Sequence, residues 1–251
     1  MISLNHKCRN VSLGGPGLLI GMSVLAVASI VSMKASGEAK ATGTEGRNML
    51  ERMCWAGECV YQSVHKGYQV AVILSPESGK HVASAIFDNE SVAGIEGFAR
   101  ANRERAQEVF VRHSEVKTMV TFARPLSFDE FRDLMSQQGI TVHEFAIRSI
   151  ENGMRATTFG RPDGNDIAPQ ARYEMMAGAG DEFKGFIWAE ATLTSAGYNH
   201  LAASPDVYLL DITEALVRDE LAGRFTGLEV IRHSPYWNME DLGLTREKSG
   251  K

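Results

Sequence analysis

The chain has 251 residues and a formal net charge of −5 at neutral pH, with 44% hydrophobic and 23% charged residues. This composition is typical of a globular protein and is enough for one substantial domain or two small ones. The negative balance excludes the broad basic surface that nucleic-acid-binding proteins use, so no nucleic-acid partner is expected.

The first feature along the chain is an uncharged apolar stretch, Leu18–Met33, behind a short head that carries Lys7 and Arg9. A membrane-spanning helix needs about 20 mainly apolar residues, and this stretch approaches that length only with the glycines and proline before it. We predict a transmembrane signal-anchor within residues 1–34, with the bulk of the chain extracytoplasmic. The alternative is export after cleavage of a signal peptide near Ala39-Lys40-Ala41.

Residues 35–47 are rich in glycine and small polar residues, which predicts a flexible tether. The soluble domain is predicted to begin in residues 48–115, with an N-terminal helix that carries Cys54 and Cys59. In an exported domain this pair could close a small disulfide loop, and the alternative is two buried thiols. The chain has no second cysteine and histidine cluster to complete four ligands, so we expect no metal site.

Two β-rich runs, Tyr68–Leu74 and His81–Phe87, flank a Ser-Pro-Glu-Ser-Gly segment and predict a hairpin with a loop longer than two residues. A long helix is predicted next, up to about His113, because capping residues in 88–91 precede apolar residues spaced three and four apart. The polar Asn102 interrupts this apolar series.

The clearest pattern lies in residues 116–233, where strand, short helix and strand follow one another twice. In the first unit Ser127 and Glu130 match a capping box at the start of the helix. The second unit spans Phe183–Ile212, and a long insertion, 151–182, separates the two units. Two βαβ units in succession predict an α+β fold with a ferredoxin-like (split βαβ) sheet, to which the N-terminal hairpin and helices are added.

Three aromatic residues are candidates for an interaction surface. Trp188 lies on a predicted central strand, where a core position is favoured over an exposed binding platform. Tyr236 and Trp237 belong to the segment 234–251, which is predicted to be a polar tail. An exposed aromatic pair there could contact a partner or the membrane interface, or could pack back over the sheet.

The chain contains no motif for binding a nucleotide, no zinc-protease histidine pair and no serine-hydrolase nucleophile elbow. We therefore expect no cofactor and no catalysis. The predicted function is a membrane-anchored extracytoplasmic interaction module with a protein partner in the cell envelope.

The sequence is also compatible with two other functions. The turn Ala203–Val207, Ala-Ser-Pro-Asp-Val, resembles that of secreted peptidase propeptides and related inhibitors, which are built on a similar βαβ-βαβ plan. The resemblance implies a regulator of a peptidase, although here a further helix and tail follow the last strand of the plan. The other alternative is an enzyme whose site is assembled from residues that are distant in the sequence.

Overall fold

A computed structural model describes residues 58–76, 78–169, 182–232 and 234–246. In this part of the chain the fold is α+β, with two β-sheets and helices packed against them. No helix within the described residues is long and apolar enough to span a membrane. The predicted anchor, Leu18–Met33, and the predicted tether lie outside the described residues.

The described strands and helices are numbered in chain order. The strands are β1 Glu58–His65, β2 Tyr68–Leu74, β3 His81–Ile86, β4 Glu115–Leu126, β5 Ile140–Glu151, β6 Met154–Gly160, β7 Glu182–Thr194, β8 Val207–Asp211 and β9 Glu229–Ile231. The helices are α1 Val92–Arg112, α2 Phe128–Met135, α3 Ser195–Ala203, α4 Thr213–Glu220 and α5 Tyr236–Asp241.

The first sheet has the strand order β1-β2-β3-β9, in which β9 is parallel to β3 and the other neighbours are antiparallel. The predicted β2–β3 hairpin is confirmed. The helix predicted to precede it is wrong for residues 58–65, which form β1. Side chains of β1 alternate between half-buried residues such as Tyr61 and Ser63 and exposed residues such as Val64. This period of two places one row against the core and is typical of an edge strand.

Helix α1 begins after Ser91, whose hydroxyl accepts a hydrogen bond from the Gly94 amide at 3.0 Å. The polar interruption at Asn102 has a structural reason. Its side-chain amide donates to the Phe98 carbonyl at 3.1 Å, and its side-chain oxygen accepts from the Ile212 amide at 2.9 Å. Asn102 therefore joins α1 to the residue that follows β8, in a position where an unpaired amide would be costly.

The second sheet is antiparallel, with the order β6-β5-β7-β4-β8. The capping box of α2 is confirmed, because the Glu130 carboxylate accepts from the Ser127 amide at 2.7 Å and the Ser127 hydroxyl accepts from the Glu130 amide at 3.4 Å. One face of the sheet packs against α2 and α3. Phe131 of α2 stacks on Phe186 of β7 at a centroid distance of 4.0 Å.

Three details of the sequence-based prediction are corrected by the structure. The insertion 151–182 contains strand β6, and the tail 234–251 contains helix α5, which is held by the buried side chains of Tyr236 and Met239. The sequence also predicts Thr213 as the N-cap of α4, but Thr213 is the first residue of the helix, and its hydroxyl and amide both donate to the Asp211 carboxylate.

Candidate interaction surface

The structure brings the three predicted aromatic residues to one face of the second sheet. Tyr236 is fully buried against Ala146 and Ile187, and the half-buried Trp188 packs on this cluster. Of the two alternatives for this aromatic pair, Tyr236 therefore packs back over the sheet. Trp237, the next residue, is 40% exposed. Ala146 lies on this face, whereas its neighbours Phe145 and Ile147 belong to the main core, in which Phe145 contacts Phe131 of α2, so this face is opposite the one that carries the α2 and α3 contacts. A register shift between Trp188 and Phe186 turns Phe186 to the α2 side.

Arg148 of β5 holds α5 against this face. Its side chain is only 2% exposed, and its guanidinium carbon lies 3.7 Å from the centre of the Trp237 ring. The guanidinium also donates to both carboxylate oxygens of Glu240 and, at 2.8 Å, to the Thr157 hydroxyl. A buried arginine needs this combination of a carboxylate, neutral acceptors and an aromatic face to offset its desolvation.

Arg155 of β6 extends the same arrangement toward solvent. It donates to Glu240 at 3.2 Å and to Asp241 at 2.8 Å, and its guanidinium carbon lies 5.5 Å from the centre of the Trp237 ring. The hydrogen bond to Asp241 and its charge raise the pKa of Arg155. Trp237 thus contacts one buried and one half-exposed arginine, and two carboxylates balance their charges.

Strand β6 forms one edge of the second sheet. It is joined to β5 by the two-residue turn Asn152-Gly153, in which both residues have positive φ, 51° and 79°. This geometry is that of a type I′ hairpin turn, which makes Glu151 and Met154 a hydrogen-bonded pair. Because such pairs alternate along an antiparallel ladder, the backbone N–H and C=O groups of Arg155, Thr157 and Phe159 point away from β5, toward the outer edge of the strand.

In the described part of the chain, β6 pairs with β5 only. Two of its apolar side chains are largely in solvent, Met154 at 70% and Phe159 at 52% exposed. The described residues after β6 turn toward α2, where Asp166 accepts a hydrogen bond from Arg132 at 3.0 Å. Phe159 and Trp188 lie 5.8 Å apart between ring centres. Phe159 therefore joins the outer edge of β6 to the aromatic face, and we call this region the β6 surface: Met154–Gly160 with Trp188 and Trp237. The side chain of Met154 points to the opposite face of the sheet.

A second cluster consists of Ser63 and His65, on the half-buried row of β1, and Glu220, at the end of α4. His65 Nε2 lies 2.8 Å from one oxygen of Glu220 and 3.0 Å from Ser63 Oγ. The Ser63 and Tyr61 hydroxyls both donate to the other oxygen of Glu220, at 2.5 and 2.8 Å. Burial raises the pKa of Glu220, but these hydrogen bonds outweigh it and hold the pKa below the ordinary value.

This arrangement differs from a catalytic triad in one decisive respect. In a triad the histidine contacts the acid through one ring nitrogen and the serine through the other. Here Nε2 of His65 faces both groups, and the Ser63 proton is directed to the carboxylate. The hydroxyl is therefore not activated by the imidazole, and Glu220 serves to join β1 to the end of α4.

A third cluster is buried where the segment after β9 meets the second sheet. Arg232 Nη2 lies 2.5 Å from Glu190 and 3.3 Å from Glu214. Nearby, Asp211 is buried, which raises its pKa although Arg232 acts in the opposite direction. No group of His, Cys, Asp and Glu side chains among the described residues is arranged to hold a metal ion. Arg232, Glu190 and Glu214 form a buried ion network.

The two candidate disulfide residues are only partly within the described structure. Cys54 lies outside the described residues, so the disulfide with Cys59 stays a prediction. The thiol of Cys59 is half-buried on β1, where its sulfur lies 3.6 Å from the Tyr61 carbonyl oxygen and accepts a hydrogen bond from the Gln62 side chain at 3.0 Å.

Sequence reasoning did not identify Arg148, Arg155 or Phe159 as parts of a surface. One local signal could have revealed β6: an Asn-Gly pair between two alternating runs is a strong indication of a hairpin. Nothing local marks Arg148, because its partners Trp237 and Glu240 lie in another part of the chain.

No protein-family model, curated protein or solved structure matches the chain. The geometry of the β6 surface is therefore the basis for the functional proposal.

Proposed function

We propose that this protein is a membrane-anchored extracytoplasmic interaction module that binds a protein partner in the cell envelope without catalysing a reaction. The anchor is Leu18–Met33, and the binding site is the β6 surface. An extended segment of the partner adds to the open edge of β6 and forms backbone hydrogen bonds with it, as in other cases of strand addition.

The observation that carries this proposal is the combination, at β6, of a strand edge that no other described strand covers and exposed apolar side chains. Natural edge strands are normally protected by proline, by charged side chains or by a covering element. Strand β6 has no proline, and its one charged residue, Arg155, is already paired with Asp241. Exposed apolar groups around such an edge are typical of a site that is covered by a partner.

We also propose that the second sheet is ferredoxin-like. In a split βαβ sheet the first strands of the two βαβ units lie side by side in the centre, flanked by the second strands. The order β5-β7-β4-β8 supports this assignment, since β4 and β7 are the first strands of the two units. Strand β6 is then an addition to the outer side of β5.

The proposal is tested in intact cells with the full chain. The photoreactive residue p-benzoylphenylalanine replaces Phe159, which keeps an aromatic ring at the edge. A matched probe replaces Val111, which is 80% exposed on α1, away from the β6 surface. We expect covalent adducts from position 159 and none from position 111 after irradiation.

A second substitution tests whether the partner forms backbone hydrogen bonds with β6. Thr157→Pro removes an N–H that points to the open edge, so the β5–β6 ladder stays intact. Thr157→Val is the control, since it also loses the hydroxyl that Arg148 contacts but keeps the N–H. Adducts should disappear with proline and persist with valine. Adducts that survive Thr157→Pro, or that form equally at position 111, contradict binding at this edge.

A further inference from the structure

We infer that the partner at the β6 edge is a second copy of this chain, paired antiparallel with β6 about a two-fold axis at Thr157. This inference rests on the proposed function, whose binding edge it uses. The axis stands perpendicular to the sheet, so the same face of both sheets continues across the interface. Pairing of the two edges closes them both, as expected for an isologous dimer.

The residue pattern of β6 is self-complementary in this register. Thr157 of each copy lies opposite Thr157 of the other, and Arg155 lies opposite Phe159 of the second copy. Threonine pairs and pairs of a cation with an aromatic ring are both favourable across antiparallel strands. The backbone groups of all three residues point to the edge, so each can exchange hydrogen bonds with its opposite residue.

The side chains around the edge continue this pattern. On its own copy, Arg155 lies 5.5 Å from the Trp237 ring, and Phe159 lies 5.8 Å from the Trp188 ring. In the inferred register, Arg155 faces Phe159 of the second copy. The aromatic groups of both copies therefore form one row. The guanidinium would lie between its own tryptophan and an aromatic ring of the other copy.

Charge selects the antiparallel arrangement and favours a second copy. Parallel pairing in register would place Arg155 beside Arg155, and like charges that are directly opposite destabilise a sheet. An unrelated peptide would need an aromatic residue opposite Arg155 and a cation opposite Phe159 at the same spacing. A second copy carries both.

The test is oxidative crosslinking of the full chain in its membrane. In a chain with Cys8, Cys54 and Cys59 replaced by serine, Thr157→Cys introduces a thiol at the two-fold axis. Opposite Cα atoms of a hydrogen-bonded antiparallel pair are about 5.5 Å apart, within the range of a disulfide. Met154→Cys is the matched control on the same strand. In the inferred register its two thiols are separated by six residues, about 20 Å.

We expect a disulfide-linked dimer from Thr157→Cys and a several-fold lower yield from Met154→Cys, although Met154 is 70% exposed. Equal or greater yield from Met154→Cys indicates random collision and overturns the inference. Adducts of the Phe159 probe with another protein, without a Thr157→Cys dimer, overturn the second copy but leave the proposed binding function intact. The absence of both products overturns both.

Discussion

The guanidinium of Arg148 lies 3.7 Å from the Trp237 ring and bonds the Glu240 carboxylate, which joins a strand from the middle of the chain to a helix near its end. Arg148 is 2% exposed, and Glu240 is 16% exposed. This ion pair is therefore largely buried. It fixes α5 on the sheet and places Trp237 beside the β6 edge.

Replacing Arg148 with methionine should destabilise the fold strongly. Methionine keeps much of the packing but leaves the Glu240 carboxylate with only the half-exposed Arg155 as an ion-pair partner among the described residues. Removal of one member of a buried ion pair costs about 3–5 kcal/mol, and we expect about 3 kcal/mol because Arg155 remains. The free energy of unfolding in urea is the measurement. Arg161→Met, at a 76% exposed side chain, should change it by less than about 1 kcal/mol.

Glu130 should make stability depend on acid pH. The Arg124 guanidinium, followed by the Ser127 amide and hydroxyl, lowers the pKa of Glu130 from 4.5 to about 2 against the opposing effect of burial. Because the folded pKa lies below the unfolded one, the stabilisation is complete above pH 4.5 and is lost as the pH falls toward 2. Between pH 4.5 and 2, the free energy of unfolding in urea should fall less for Glu130→Gln than for the unchanged chain. Glu115→Gln, at an exposed position, should follow the unchanged chain.

Glu220→Gln should loosen β1 from the rest of the fold. The carboxylate accepts from Tyr61 and Ser63 and faces His65, and the amide can replace only part of these interactions. We expect the local opening free energy of β1 to fall by about 1–3 kcal/mol. Amide hydrogen exchange resolved by segment is the measurement. Faster exchange in β1 with unchanged exchange in β5 is expected, whereas unchanged exchange in β1 would show that the cluster does not hold the strand.

Asn102→Ala should destabilise the junction of α1 with β8. The substitution removes the acceptor of the Ile212 amide, 2.9 Å away, and leaves that buried donor unpaired. Such a loss costs about 1–3 kcal/mol. Thermal and urea unfolding measure it. Gln107→Ala on the exposed side of the same helix is the control, with an expected change within about 0.5 kcal/mol.

The proposed topology predicts that the C-terminal end of the chain is accessible from outside. Protease added to intact cells that have been stripped of any outer layer should remove the C-terminal residues, and the mature mass should retain Met1. An internal cytoplasmic protein must stay intact as the control. A protected C-terminus would invert the topology, and a mass that begins after Ala41 would identify a cleaved signal peptide instead of an anchor.

Some features that depend only on neighbouring residues were predicted correctly from the sequence, whereas the Asn152-Gly153 hairpin, an equally local signal, was missed. The start of α1 was predicted within residues 88–91, and the structure places the cap at Ser91. The capping box at Ser127 and Glu130 involves atoms only three residues apart, so the local pattern determines it. The alternating strands on both sides of α2 were recognised for the same reason. Strand β1 was missed because its row of half-buried polar side chains does not look like a buried face until Glu220 is placed beside it.

The α+β class, most of the strands and helices, and the interest of Trp188, Tyr236 and Trp237 could all be inferred from the order of the residues. The burial of Tyr236, the position of Trp237 over Arg148 and the absence of a second neighbour for β6 among the described strands follow from tertiary contacts alone. The physical reason is the sequence distance over which each interaction acts. Capping and periodicity act over a few residues, whereas strand order and the partners of a buried charge depend on segments that meet only after the chain has folded.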